Sequence, residues 1–163
     1  MTSFRTAALV AATFTSGLSA GLFYAYFFSV MPGLGASDDR TFVTAMQWIN
    51  VKILNGWFAV AFAGAPVLSV LAAVLLLVGG APAGTALAVA GAVLAVLTVV
   101  VTFGWNVPLN NALMRAGEPD RLADPAEVRR RFEAPWVRWN TVRTVTSVAG
   151  FACLVGALLT YGG

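Results

Sequence analysis

The sequence has no histidine, one cysteine and few charged side chains. Charged residues make up 10% of its 163 residues, whereas hydrophobic residues make up 59%. Without histidine the chain lacks the commonest metal and haem ligand and the usual general base near neutral pH. Cys153 has no second cysteine to pair with, which excludes an internal disulfide and a cysteine metal cluster. We therefore expect no metal site.

Four uncharged apolar stretches dominate what is present. They cover residues 7–30, 53–78, 84–103 and 144–161, and each is close to or above the roughly 20 residues that cross a bilayer. The mean hydropathy of +0.81 is far above that of ordinary soluble domains. The sequence predicts an all-α, four-helix transmembrane bundle, a single integral membrane domain over residues 1–163. We interpret the first stretch as a retained span, because it is long and carries bulky aromatic residues where a signal peptidase would need small ones.

The basic residues are unevenly distributed. Only Arg5 precedes the first stretch, and the other nine of the ten lie between the first and second or the third and fourth stretches. By the positive-inside rule the protein lies in the cell membrane with these two connections facing the cytoplasm and both termini outside the cytoplasm. The run 129–131 fits a topological anchor, with a binding patch as the alternative. Because acidic residues are interleaved with the basic ones, we expect a lipid bilayer and no nucleic acid as partner.

Small residues and prolines indicate how the spans pack. Gly17 and Gly21 give the first span a surface that another helix can approach closely, which leaves a homo-oligomer open. Pro66 should kink the second span, with neighbouring helices or water covering the carbonyl that it frees. Residues 42–57 keep a helical period, and we expect this helix to run on into the second span near Lys52.

Polar and aromatic side chains from four parts of the chain are predicted to meet at the cytoplasmic face, past which the helices extend. Amide and guanidinium groups near hydrocarbon are costly without partners, so they should converge on each other, on water or on a ligand. A self-satisfied network that holds the helix ends together and a ligand pocket both remain open. The predicted members are Tyr24, Met31, Gln47, Asn50, Asn106, Asn110, Trp136, Trp139, Asn140 and Arg143.

The chemistry of this cluster is limited by its residue types. It contains neither a carboxylate nor a histidine, so metal-assisted hydrolysis and triad-type acyl transfer are poorly supported. Stabilisation of an anion remains, because Arg143 is permanently charged and asparagine amides can donate hydrogen bonds to an oxygen that gains charge. Flat apolar substrates with ionisable hydroxyl groups would suit such a site.

Two segments carry a family resemblance. The chain resembles the anthrone oxygenase family at residues 106–110, NVPLN, and 136–143, WVRWNTVR, which look like its paired signature. Residues 31–34, MPGL, and 46–50, MQWIN, are similar to its other recurring blocks. Together these segments follow the family order along most of the chain, and the combination is far more specific than any one of the short words.

The resemblance implies an enzyme that oxidises anthrones or other polycyclic phenols with molecular oxygen, using no cofactor, neither metal nor flavin. On that mechanism Arg143 with Asn106, Asn110 or Asn140 stabilises the substrate anion. Substrate contacts are then expected from Trp136, Trp139, Tyr24, Met31, Gln47 and Asn50, with water or Tyr24 as proton relay. The alternative is a non-catalytic membrane module that binds a partner protein or a lipophilic small molecule.

Overall fold

Helices account for all the regular structure in the computed structural model, which describes residues 2–80 and 84–162. Two short π-helical turns, Tyr26–Val30 and Thr102–Asn106, interrupt otherwise α-helical segments. The α-helices are α1 Thr2–Ala25, α2 Met31–Gly35, α3 Asp39–Lys52, α4 Gly56–Val78, α5 Thr85–Val101, α6 Val107–Arg115 and α7 Pro125–Gly162, with a 3₁₀ turn at Pro119–Arg121.

Four helical segments are long and apolar enough to cross a membrane. They are Ser3–Gly35, Gly56–Val78, Thr85–Arg115 and Pro125–Tyr161. The chain is therefore an all-α, multi-pass membrane protein, as the composition predicts. Three of the segments have 31 to 37 residues, and a helix of about 30 residues is about 45 Å long, which exceeds a hydrocarbon core of about 30 Å. These three extend beyond the bilayer.

One end of the bundle is packed from small side chains. We call it the terminal end, because α1 starts there and α7 ends there. Its buried core consists mainly of alanine, from Ala8, Leu9, Ala12, Ala72, Ala73, Leu76, Ala88, Ala92, Leu154 and Ala157. The helices α5 and α7 approach so closely that a Cβ atom on Gly91 would lie 2.8 Å from Cγ of Leu154. Small residues permit this contact between spans.

The opposite end, which we call the basic end, has a second core of large side chains. It contains Met31, Phe42, Val43, Met46, Leu113, Phe132 and Trp136. Arg129 of α7 ties this end together by donating hydrogen bonds to the carbonyl oxygens of Gly35 at 2.7 Å and Ser37 at 2.9 Å. Helices α2, α3 and α6 and the first turns of α7 thus form a cap on the transmembrane bundle.

The prediction that α3 runs on into the second span is wrong. The helix α3 ends at Lys52, and α4 begins three residues later than the apolar stretch, at Gly56. Asn55 separates them, because its Oδ1 accepts a hydrogen bond from the Phe58 N–H at 3.1 Å and its Nδ2 donates to the Lys52 carbonyl at 2.8 Å. A side chain that caps one helix and closes the preceding one sets a break in the chain.

Candidate functional site

A cavity of about 510 Å³ lies where the two cores meet. It is lined by the end of α1, the break between α3 and α4, the first turns of α4, both π turns, α6 and α7. The lining residues are Leu22, Phe23, Tyr26, Ile49, Asn50, Val51, Ile53, Leu54, Phe58, Phe62, Thr102, Phe103, Val107, Asn110, Asn111, Met114, Trp136 and Arg143. Most of this wall is aromatic or aliphatic, with a few polar groups, as in small-molecule sites generally.

Arg143 brings a positive charge into this apolar wall. The residue is 6% exposed, and its Cζ lies 4.5 Å from the ring centroid of Phe23 and 5.2 Å from that of Trp136. Its Nη2 donates to Oδ1 of Asn140 at 2.9 Å, whereas its buried Nε has no hydrogen-bond partner in the described part of the chain. Ring faces stabilise a guanidinium but accept no conventional hydrogen bond, so Arg143 keeps a free donor.

The position of Arg143 is fixed through the last turn of α1. Asn140 Nδ2 donates to the carbonyl of Phe23 at 3.3 Å, and the Thr144 hydroxyl donates to the same oxygen at 3.1 Å. Because a carbonyl can only accept, the amide of Asn140 must turn its Oδ1 toward the guanidinium. The chain of contacts from Phe23 through Asn140 to Arg143 therefore has one consistent orientation.

The second π turn holds α7 from the other side. Asn106 is fully buried, and its Nδ2 donates to the carbonyl of Trp136 at 3.3 Å. Trp136 in turn donates its indole N–H to Oδ1 of Asn110 at 2.8 Å. The Oδ1 of Asn106 has no partner within residues 2–80 and 84–162. Two asparagines thus set the depth and rotation of the Trp136 ring that faces Arg143.

Both π turns precede a proline by two residues. Pro32 and Pro108 have no N–H to donate back into the helix, and the N–H groups of Met31 and Val107 reach instead to the carbonyls of Tyr26 and Thr102. The wider turn adds a residue and rotates the helical segment after it, and such turns are frequent at functional sites. The prolines therefore explain why both helices are irregular at the level of the cavity.

Phenylalanine rings form a further part of the cavity wall. Phe62 stacks on Phe58 with centroids 5.1 Å apart and meets Phe23 edge to face at 6.4 Å. Leu54 and Phe103 line the cavity and are 76% and 60% exposed. These exposed residues place the opening on the flank of the bundle, beside the break between α3 and α4.

Six of the ten predicted site residues lie in or against the cavity. Asn50, Asn110, Trp136 and Arg143 line it, and the Nδ2 of Asn50 is buried without a partner among the described residues. Asn106 and Asn140 are buried behind the lining, where they bind the backbone of neighbouring helices.

The structure places the other four predicted residues elsewhere. Met31 belongs to the core of the basic end. Gln47 donates to the carbonyls of Leu113 and Gly117 at 2.9 and 3.0 Å and thereby caps α6. Tyr24 is 50% exposed, and Trp139 stacks on Trp105 with centroids 4.2 Å apart.

Sequence reasoning missed Tyr26, Phe23 and Thr144. Tyr26 lines the cavity, and its ring lies 5.6 Å from that of Trp136, the ring that faces Arg143. A regular helical period puts residues 24, 27, 28 and 31 on one face, and the π turn breaks that period immediately after Ala25. Pro32 was the available signal, because it makes an irregular turn before it more frequent.

Fold and cavity together define a class, a helical membrane protein with a buried arginine in an aromatic pocket. The profile of the anthrone oxygenase family matches residues 56–153, more than half of the chain, and the chain belongs to that family. The matched range includes the segments 106–110 and 136–143, and it excludes α1, α2 and α3. No curated protein and no solved structure matches the chain.

Proposed function

We propose that the protein is a membrane-embedded oxygenase that oxidises anthrone-like or other polycyclic phenolic substrates with molecular oxygen, without metal or flavin. The observation that carries the proposal is the buried guanidinium of Arg143, whose Nε has no partner among the described residues in an aromatic cavity of about 510 Å³. A cavity of this size accommodates a flat tricyclic molecule. Membership of the anthrone oxygenase family supports the reaction class.

The proposed reaction begins with the loss of an acidic proton from the methylene carbon of an anthrone. The resulting anthrolate carries its negative charge mainly on the former carbonyl oxygen and passes one electron to dioxygen. Superoxide and the carbon radical combine at the former methylene carbon, and protonation gives a hydroperoxide. This hydroperoxide eliminates water and leaves an anthraquinone. One oxygen atom of dioxygen enters the product and the other leaves as water, so the substrate itself supplies all the electrons.

In this proposal the protein lowers the energy of the anthrolate. Arg143 Nε and Asn50 Nδ2, both buried donors without partners among the described residues, donate hydrogen bonds to the oxygen that becomes negative. Preorganised donors in a water-poor site are effective, because they need no reorganisation as the charge develops. Water in the cavity takes the carbon-bound proton, and the Tyr26 hydroxyl, which lines the same cavity, relays it by accepting a proton at its oxygen as it gives its own proton to the next water.

The remaining groups hold these donors and the substrate rings. Trp136 and Phe23 flank the guanidinium and contact the aromatic substrate, and Asn106, Asn110 and Asn140 act as positioning residues through their contacts with α7 and α1. We assign no substrate contact to Tyr24, Met31, Gln47 or Trp139, because none of them lines the cavity.

We further propose that the protein lies in the cell membrane with its basic end facing the cytoplasm, both termini outside the cytoplasm and residues 1–163 folding as one domain. Nine of ten basic residues support this orientation, since only Arg5 lies at the terminal end. A homo-oligomer through the first span is restricted to the side of Gly21, where a Cβ would meet no atom of the described residues within 4 Å. Gly17 already packs on Phe151 of α7.

A second candidate function is a carrier that binds a lipophilic aromatic molecule without oxidising it. The cavity alone supports binding, since its lining is mainly apolar and it opens on the flank of the bundle. The two candidates differ in turnover and not in affinity.

Oxygen uptake by the purified protein in nanodiscs separates these functions. We expect chelator-treated protein and an anthrone to consume one dioxygen per anthraquinone formed, faster than the spontaneous oxidation, with one ¹⁸O atom from ¹⁸O₂ in the product. Turnover abolished by chelation and restored by a metal would contradict the metal-free mechanism. Tight binding at the spontaneous rate of oxidation would favour the carrier.

A further inference from the structure

A second, much smaller chamber lies inside the bundle, further from the basic end than the cavity. Its volume is about 10 Å³, which is close to the space that one buried water needs. The chamber lies between α1, α4, α5 and α7, and it is lined by hydroxyl groups as well as by small and aromatic residues.

The chamber is stacked directly on the larger cavity. On α1, α5 and α7 the chamber-lining residues Ser19, Thr98 and Ser147 are each four positions from a residue that lines the cavity. Residues four apart on a helix share a face and differ in height by about one turn, or about 5.4 Å. On α4 the ring-bearing residue Phe62 lines both spaces and separates them.

Ser19 and Phe62 each bring a polar group to the lining of the chamber. Ser19 is only 5% exposed, and its hydroxyl makes no hydrogen bond in the described part of the chain. Pro66 also lines the chamber and lies inside α4, so it has no N–H for the carbonyl of Phe62 four residues earlier. The nearby hydroxyls are engaged, since Ser16 meets Ser69 at 3.4 Å and Thr98 meets Thr146 at 2.8 Å.

We propose that the chamber binds one water molecule, which donates to the carbonyl oxygen of Phe62 and is held by the hydroxyl of Ser19. A buried water is stable where it has two to four polar partners, and Ser147 offers a third oxygen in the same lining. Proline in a transmembrane helix is tolerated where water or a hydroxyl group satisfies the freed carbonyl. The water therefore fixes the backbone of α4 where the Phe62 ring forms the wall of the cavity.

A double-mutant cycle tests whether this water is bound, and it requires no substrate. Ser19→Ala removes the partner of the water, and Pro66→Ala restores an N–H to the Phe62 carbonyl, so that the water is no longer needed there. Melting temperature in detergent is measured for the wild type, both single variants and the double variant. We expect Ser19→Ala to lower it by about 2–4 °C when Pro66 is present and by less than about 1 °C in the Pro66→Ala background.

Ser16→Ala is the matched control, because Ser16 lines the same chamber but bonds Ser69. Its effect should be the same in both backgrounds. An equal loss for Ser19→Ala in both backgrounds would overturn the proposal, as would no loss in either. The latter result would indicate a dry chamber or one that takes dioxygen, which has no need of a hydroxyl group. A crystal structure of the wild type at better than about 2 Å should show one density peak within hydrogen-bond distance of both oxygens, and an empty chamber there would also overturn it.

Discussion

The two cores of this bundle are built from different side chains. At the terminal end alanine and leucine let the helices touch along their length, and Gly91 of α5 packs on Leu154 of α7. At the basic end the core contains phenylalanine, tryptophan and methionine, and two π turns and the Asn55 break interrupt the helices. Close packing leaves no room for a ligand, whereas large rings on interrupted helices enclose a cavity at the junction. Stability and chemistry should therefore respond to different substitutions.

The largest effect is expected from Arg143→Ala at the junction. Removing the buried donor should lower the rate of anthrone oxidation by about 100-fold to 1,000-fold, the range found when one oxyanion donor is removed. Steady-state oxygen uptake measures the rate. Arg138→Ala is the control, because Arg138 lies on the same helix but is exposed. Equal rates for the two variants would remove Arg143 from the mechanism.

Gly91→Val should lower the stability of the protein at the terminal end and leave the chemistry of the cavity unchanged. The added side chain would meet Leu154 Cγ at 2.8 Å and the Gly150 carbonyl at 3.2 Å, and overpacking of this kind costs about 1–3 kcal/mol. We expect a lower melting temperature, with the rate per folded molecule unchanged. Gly21→Val is the comparison, since no atom of the described residues lies within 4 Å of its Cβ position. A loss of rate in folded Gly91→Val would mean that the two ends are coupled.

Asn140→Ala should distinguish a residue that contacts the substrate from one that only positions Arg143. Without its bonds to the Phe23 carbonyl and Arg143, the guanidinium loses its fixed direction, and we expect about a 10-fold fall in kcat, or about 1.4 kcal/mol. Thr141→Ala serves as control, because its hydroxyl bonds the carbonyl of Val137 in its own helix. Stopped-flow single-turnover experiments measure the rate of substrate oxidation, and an unchanged kcat would contradict the positioning role.

The smallest effect is expected from Trp136→Phe at the basic end. The ring stays, but the hydrogen bond to Asn110 is lost, which should cost about 1 kcal/mol of stability. Trp139→Phe keeps its stacking on Trp105 and loses no hydrogen bond among the described residues, so chemical denaturation should show a smaller change. The opposite ranking would show that the Asn110 contact contributes nothing.

The sequence predicted the four spans and the all-α fold, because both depend on composition averaged over some 20 residues. The sequence also predicted that Asn50, Asn110, Trp136 and Arg143 lie at the same depth in the membrane, because that depth depends on which helix ends meet at one face. The prediction placed Tyr24 in the site, whereas Tyr26 lines the cavity. The reason is that a π turn shifts the helical period by one residue, and the sequence pattern does not show where that shift occurs.

The sequence also did not show which of two neighbouring amide side chains lines the cavity. Gln47 and Asn50 lie three residues apart on α3, and a helical period places them on one face. In the fold Gln47 caps α6 through the Leu113 carbonyl, while Asn50 lines the cavity. The difference depends on how α3 crosses α6, and a tertiary contact of that kind cannot be predicted from the spacing of residues along one helix.

The absorption spectrum of an anthrone bound under strictly anaerobic conditions tests the account most directly, because it follows the anion before dioxygen reacts. With wild-type protein we predict the anthrolate spectrum at a pH where the free compound stays in its keto form, and we predict its loss in Arg143→Ala at saturating ligand. Admitting oxygen should then convert the anion to anthraquinone. A bound ligand that keeps its neutral spectrum in the wild type would contradict the proposal that this cavity works by stabilising an anion.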